Sequence, residues 1–206
     1  LSARAAEDGY VLHINKDAYV CASPFVADYT LTGEDGQTVF SGEDFVEVYH
    51  LTADGAGEQD VSIAAYSVNI DAEAPEKAGY RRVGLEDSGC FSAETAGKLR
   101  AIVQWSYPHK DVSAIQAAAN PWLQSHGLPE IRHLQSGEAV LAAQLAIWEL
   151  TNQGKFTVNE YLSGWEDMTT PGWRNYLRKV TNADVSREPL TEDSAANVAG
   201  LYRYLC

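Results

Sequence analysis

Of the residues able to do chemistry, Gln144 has the setting least like an ordinary surface. It sits in Ala142-Ala143-Gln144-Leu145-Ala146-Ile147-Trp148, where Val140, Leu141, Gln144, Leu145 and Trp148 follow the i, i+1, i+4, i+5, i+8 spacing of one buried helical face. A primary amide in such a stripe costs roughly 1–3 kcal/mol if it has no partner. The side chain is therefore expected either to be a core carboxamide hydrogen-bonded to backbone, or to be consumed in a covalent bond.

The other reactive residue types form no comparable constellation. His13, His50, His109, His126 and His133 lack the His-x-x-x-His or Cys/His spacing of a metal site. The acidic pairs Glu34-Asp35, Glu43-Asp44, Glu86-Asp87 and Glu166-Asp167 read as solvated turns, and none fits a calcium loop. Nucleophile-elbow, Walker and dinucleotide motifs are missing, so the sequence predicts no enzyme and no cofactor. Cys21, Cys90 and Cys206 are widely spaced. In a secreted chain two of the three are expected to pair, with the choice open.

The elements that must position these residues change character along the chain. From Gly9 to about Ile70 the sequence reads as short strands: Tyr10–Ile14, Ala18–Cys21, Tyr29–Thr32, Gln37–Phe40 and Phe45–Tyr49. Gly33-Glu34-Asp35-Gly36 and Ser41-Gly42-Glu43-Asp44 read as turns between them. Val61–Ile70 reads as a further strand, and Asp71–Ser88 as a long loop. Ser92 is a fitting N-cap for a helix to about Ser106, with Leu99, Ile102, Val103 and Ser106 inward. Asp111 caps a second helix that should break before Pro121. Ser136 starts the helix bearing Gln144, which stops at Asn152-Gln153-Gly154. Lys155–Val158 suits a strand, Gly172–Val180 a short helix after Pro171, and Thr191 caps a final helix to about Leu205. The expected class is α+β in a single domain over residues 1–206. Residues 1–90 form a mainly β antiparallel sandwich or barrel. Residues 91–206 form a mainly helical subdomain with added strands.

Three segments in order carry a family resemblance. Gln144-Leu145-Ala146-Ile147-Trp148 resembles the Gln-x-Ala-Ile-Trp box of the thioester domains of Gram-positive surface adhesins, with Ala143 where Thr usually precedes the Gln. Tyr66-Ser67-Val68-Asn69 matches the family's Tyr-Cys-x-Asp/Asn element, with Ser67 in the place of the cysteine. The helix Gly97–Ser106, followed by Tyr107-Pro108, is similar to the family's linking helix, and Leu201–Leu205 is a weaker fourth match. The resemblance implies that Ser67 and Gln144 meet where the helical layer joins the sheet. Tyr66, Asn69, Ala146, Ile147 and Trp148 would then support them.

In that family the Cys and Gln side chains join as an internal thioester with loss of ammonia, and a lysine amine of a target protein later displaces the thiolate to give a stable amide. The protein is a single-use reagent. Here the hydroxyl of Ser67 is a poor nucleophile without an adjacent base, and none stands nearby in sequence. The resemblance therefore implies Ser67 and Gln144 close but unjoined, against an oxoester between them or a bond from Cys90 to Gln144.

Composition limits the partners. Twenty-nine acidic against fifteen basic residues give a formal net charge of −14, which repels phosphate backbones and anionic lipid, so neither nucleic acid nor membrane is expected. The absence of Met at Leu1 suggests a mature or trimmed piece, with any secretion signal or wall anchor outside it. The resemblance implies a secreted, cell-wall or pilus-tip location and a protein target presenting an amine. A non-covalent binding or structural module of a surface protein is the reading from another class.

Overall fold

The computed structural model describes residues 11–14, 21–32, 35–53, 62–69, 78–81, 83–152, 177–182, 186–189 and 192–206. Strands Leu12–Ile14 (β1), Cys21–Thr32 (β2), Thr38–Ala53 (β3) and Ser62–Ala65 (β4) come first, followed by helices Ala93–Gln104 (α1), Val112–Ser125 (α2) and Ser136–Thr151 (α3). Strands Leu177–Asn182 (β5) and Ser186–Pro189 (β6) then return, and helix Glu192–Leu205 (α4) follows. The class is α+β, and the pairings among the described strands are antiparallel.

The described strands share one sheet of order β1-β3-β2-β5-β6, with β4 also on β3. Its spine is β3. Residues up to Val48 pair with β2, Tyr49–Thr52 with β4, and Leu51–Ala53 with β1. The turn expected over Ser41–Asp44 is not one, because Ser41, Gly42 and Glu43 pair with Thr30, Tyr29 and Asp28 inside a long ribbon. Cross-strand pairing there overrides the local turn composition. The ribbon does turn near Gly36, whose φ of +75° suits glycine, while the Asp35 carboxylate accepts the Gln37 N–H at 3.1 Å. Leu177–Asn182 is likewise a strand where the tail of a helix was expected, since β2 offers it an open edge through Phe25–Lys179 and Val26–Arg178. The strand expected at Lys155–Val158, the helix start at Pro171 and the cap at Thr191 lie outside the described residues.

Among the described elements it is one central helix that packs against this sheet. α3 packs on β2 and β3 and is flanked by α1 and α4. It is buried continuously from Gly137 to Trp148, so the single apolar face expected for it is instead an apolar surface all round, as in a central core helix. Ala142, Ala143 and Ala146 let neighbours approach closely, and Val46 and Val48 of β3 join the same core. α1 has the expected cap, the Thr95 N–H donating to Ser92 Oγ at 3.1 Å. α2 runs through Pro121 to Ser125. Pro121 lies on the exposed face, while Ile115, Ala119 and Leu123 continue the buried stripe past it, and that burial offsets the lost backbone bond. The helix closes at Gly127, φ +68°, with Leu128 N–H on Leu123 O and Gly127 N–H on Gln124 O.

The loop entering α3 is held by side-chain amides. Asn120 of α2 donates to Ile131 O at 3.0 Å and accepts the Ile131 N–H at 2.9 Å. Asn197 of α4 makes the same pair with Arg132, both at 2.8 Å, and also donates to the Glu138 carboxyl at 2.9 Å. Glu138 accepts the Gln135 N–H as well, at 3.0 Å. Because Asn197 and Glu138 are both buried, Asn197→Ala would remove three bonds and leave the carboxyl with one donor. Urea unfolding should show a loss of about 3 kcal/mol.

Candidate functional site

The segment after β4 leaves the sheet and binds to α3. Val61–Ile70 reads as a strand, but pairing ends at Ala65, because the next residues spend their backbone groups on helix side chains. Ser67 N–H donates to Gln144 Oε1 at 3.2 Å, and Gln144 Nε2 donates to Ser67 O at 2.7 Å. Gln144 is 1% exposed. Its buried amide is thus satisfied on both atoms, the requirement that its apolar surroundings impose.

Two further tethers hold the neighbours. Tyr66 is half-buried, and its hydroxyl donates to the carbonyl of Tyr107 in the α1–α2 connection. Thr151, at the end of α3, donates to Val68 O at 2.8 Å. Residues 66, 67 and 68 are each held from a different place. Gln144, Trp148 and Thr151 follow i, i+4, i+7 spacing, so one stripe of α3 faces the segment. The sequence reading gave Thr151 and Tyr107 no role. The spacing was the signal for Thr151, but a threonine at a helix end has too many local uses to stand out.

The remaining predicted site residues are placed as follows. Ala146, Ile147 and Trp148 are buried in the core; Ile147 O accepts from Thr151 Oγ1 at 2.9 Å, and Trp148 O accepts from Asn152 Nδ2 at 3.0 Å. Asn69 meets Ser67 through its carbonyl, which accepts from Ser67 Oγ at 2.9 Å. The hydroxyl therefore turns along its own segment, and among the described residues no His, Asp or Glu accepts its proton. A cleft of about 250 Å³ opens beside Tyr66, walled by Ile63, Val103, Tyr107, Pro108 and His109. Val68 and Trp105 are exposed. Among the described residues no three His, Cys, Asp or Glu side chains gather to hold a metal.

The cysteines stand apart from this pair. Cys90 is a free, exposed thiol whose sulfur contacts Ser88 O at 3.6 Å, while both polar atoms of Gln144 are engaged by Ser67. Cys206 is also free. Cys21 lies in β2 opposite Val48.

A buried helical glutamine is thus clamped to the backbone of a non-helical segment just past the end of a sheet strand. The family model for the thioester domain matches residues 64–206, and the chain belongs to that family. No curated protein and no solved structure matches it.

The Cys206 residue is exposed as a whole, yet its thiol turns toward Glu149 Oε2 at 4.0 Å. Burial, and then the Glu149 charge, push it up to about 12. A raised value keeps the thiol neutral, so native protein treated with iodoacetamide at pH 8 should label Cys206 roughly a hundredfold more slowly than an unperturbed thiol. Peptide mapping over time measures this, and prompt labelling would contradict the thiol's burial.

Proposed function

We propose that this chain is an adhesin domain of the internal-thioester type, in a form that carries Ser67 where the reaction needs cysteine. Its place would be on a Gram-positive cell wall or pilus tip, secreted and anchored through other segments. Its partner would be a protein of the host or of a neighbouring cell that presents a lysine amine. The observation that carries this reading is the paired contact of Ser67 and Gln144, residues far apart in sequence and matched to the two halves of the family's bond.

The contact suits the chemistry. A sulfur at position 67 would attack Gln144 Cδ, and negative charge would develop on Oε1, which already accepts the Ser67 N–H. A donor at that position stabilises the tetrahedral intermediate. The C–N bond then breaks, and the thiol proton leaves with nitrogen as ammonia. A target amine would next add to the thioester carbonyl, forming an amide and returning the thiol, so the domain acts once and does not turn over. The apolar residues around Trp148 and the Tyr66 side chain would slow hydrolysis by keeping water from the carbonyl.

With serine the same geometry is chemically silent. The hydroxyl is directed to Asn69 O, has no base among the described residues, and the Gln144 amide is stabilised by two hydrogen bonds. This favours the unjoined state over the oxoester and over a bond from Cys90.

The intact mass of the unaltered chain should equal its sequence mass. Ser67→Cys should lose one ammonia and become sensitive to small amines, and adding Gln144→Ala should abolish both effects. A folded Ser67→Cys chain that keeps its full mass and ignores methylamine would refute the thioester reading of this site.

A further inference from the structure

We propose that Thr151 is a positioning residue for the Ser67 and Gln144 pair, its hydroxyl holding the Val68 carbonyl so that the backbone of residue 67 stays in register with the Gln144 carboxamide. The inference deepens the thioester reading and, for its chemical consequence, rests on it.

The hydroxyl of Thr151 has one proton and two carbonyls within reach, Val68 O at 2.8 Å and Ile147 O at 2.9 Å. Its oxygen also accepts from Asn152 Nδ2 at 2.9 Å. The contact with Ile147 O is the back-bond a helical threonine makes to the carbonyl four residues earlier, and it sets the rotamer. That same rotamer reaches Val68 O. Asn152 fixes the oxygen from the other side and is itself held to Trp148 O at 3.0 Å. The hydroxyl is thus aimed by the helix end, while its target is the residue following Ser67.

The need for such a tether follows from the segment itself. Sheet pairing stops at Ala65, and Val68 and Asn69 are exposed. Without Thr151, the grip of Gln144 on Ser67 would be the last attachment before Asn69. Upstream of Ser67 the chain is tied through Tyr66 to Tyr107 and through Ala65 to the sheet. A bond one residue downstream, from a side chain seven positions along the same helix, holds the Ser67 carbonyl side as well. Seven residues are close to two helical turns, which places Gln144 and Thr151 on one face.

The geometry separates the role of the hydroxyl from that of the methyl group. Thr151→Val keeps the shape and removes the proton donor, whereas Thr151→Ser keeps the donor and removes the methyl. In the unaltered chain, amide hydrogen exchange of the Ser67 N–H reports how often the clamp on Gln144 opens. Thr151→Val should raise that exchange roughly threefold to tenfold, the effect of one net hydrogen bond, with the interior of α3 unchanged. Thr151→Ser should restore it. In the Ser67→Cys background, Thr151→Val should slow ammonia loss, followed by mass over time, by a similar factor, and Thr151→Ser should again restore it.

Unchanged Ser67 exchange in Thr151→Val, or Thr151→Ser behaving like Thr151→Val, would overturn the role given to Thr151. If Ser67→Cys by itself kept its ammonia, the thioester reading would fail, while the exchange measurement would still decide for or against the tether.

Discussion

One carboxamide and the backbone of one residue hold this site together. Gln144 is buried within α3, where an amide cannot reach water, and Ser67 belongs to a segment that has left its sheet and lost its strand partner. Each supplies what the other lacks. The glutamine oxygen accepts the Ser67 N–H and the glutamine nitrogen donates to the Ser67 carbonyl, so four polar groups are satisfied in one contact. Removing either partner would leave the other unpaired at low dielectric, where the cost is greatest. The surroundings then become intelligible as ways of keeping this contact in place, from the apolar casing of α3 to the tyrosine and threonine tethers beside it.

Among the described residues the same device occurs three times. Asn120 grips Ile131, Asn197 grips Arg132 and Gln144 grips Ser67, each carboxamide pairing with both polar groups of a single residue. A primary amide in this role imitates one rung of a strand, which allows an irregular segment to lie against a helix without exposing its backbone. Two of these rungs support the loop that launches α3. The third lies at the proposed site. Gln144 thus has a mechanical duty of its own, holding the segment after β4 against α3. Serine at position 67 leaves that duty intact, because the clamp uses the backbone of residue 67 and not its side chain.

The legible parts of the sequence were those governed by local physics. The cap at Ser92, the stop at Asn152, the turn at Gly36 and the inward residues Leu99 and Ile102 each follow from composition and period over a few residues, and the structure has them. The readings that failed were those in which a distant partner outweighed local preference. Ser41–Asp44 has turn composition but lies opposite β2. Leu177–Val180 was given to a helix, yet a sheet edge was available to it. Pro121 marks a helix end in isolation, but Leu123 beyond it has a core to enter.

The chain by itself determined that Gln144 lies in an apolar helix and must be paired or consumed, since that depends only on neighbouring residue types and the helical period. Its resemblance to the thioester family, carried by three ordered motifs, pointed to Ser67 as the candidate partner. Only the tertiary structure decided how they meet: backbone to side chain, with the hydroxyl turned away and Thr151 fixing the next carbonyl. That arrangement depends on where β4 stops relative to the stripe of α3, a relation between elements nearly eighty residues apart, and no local pattern encodes such a distance.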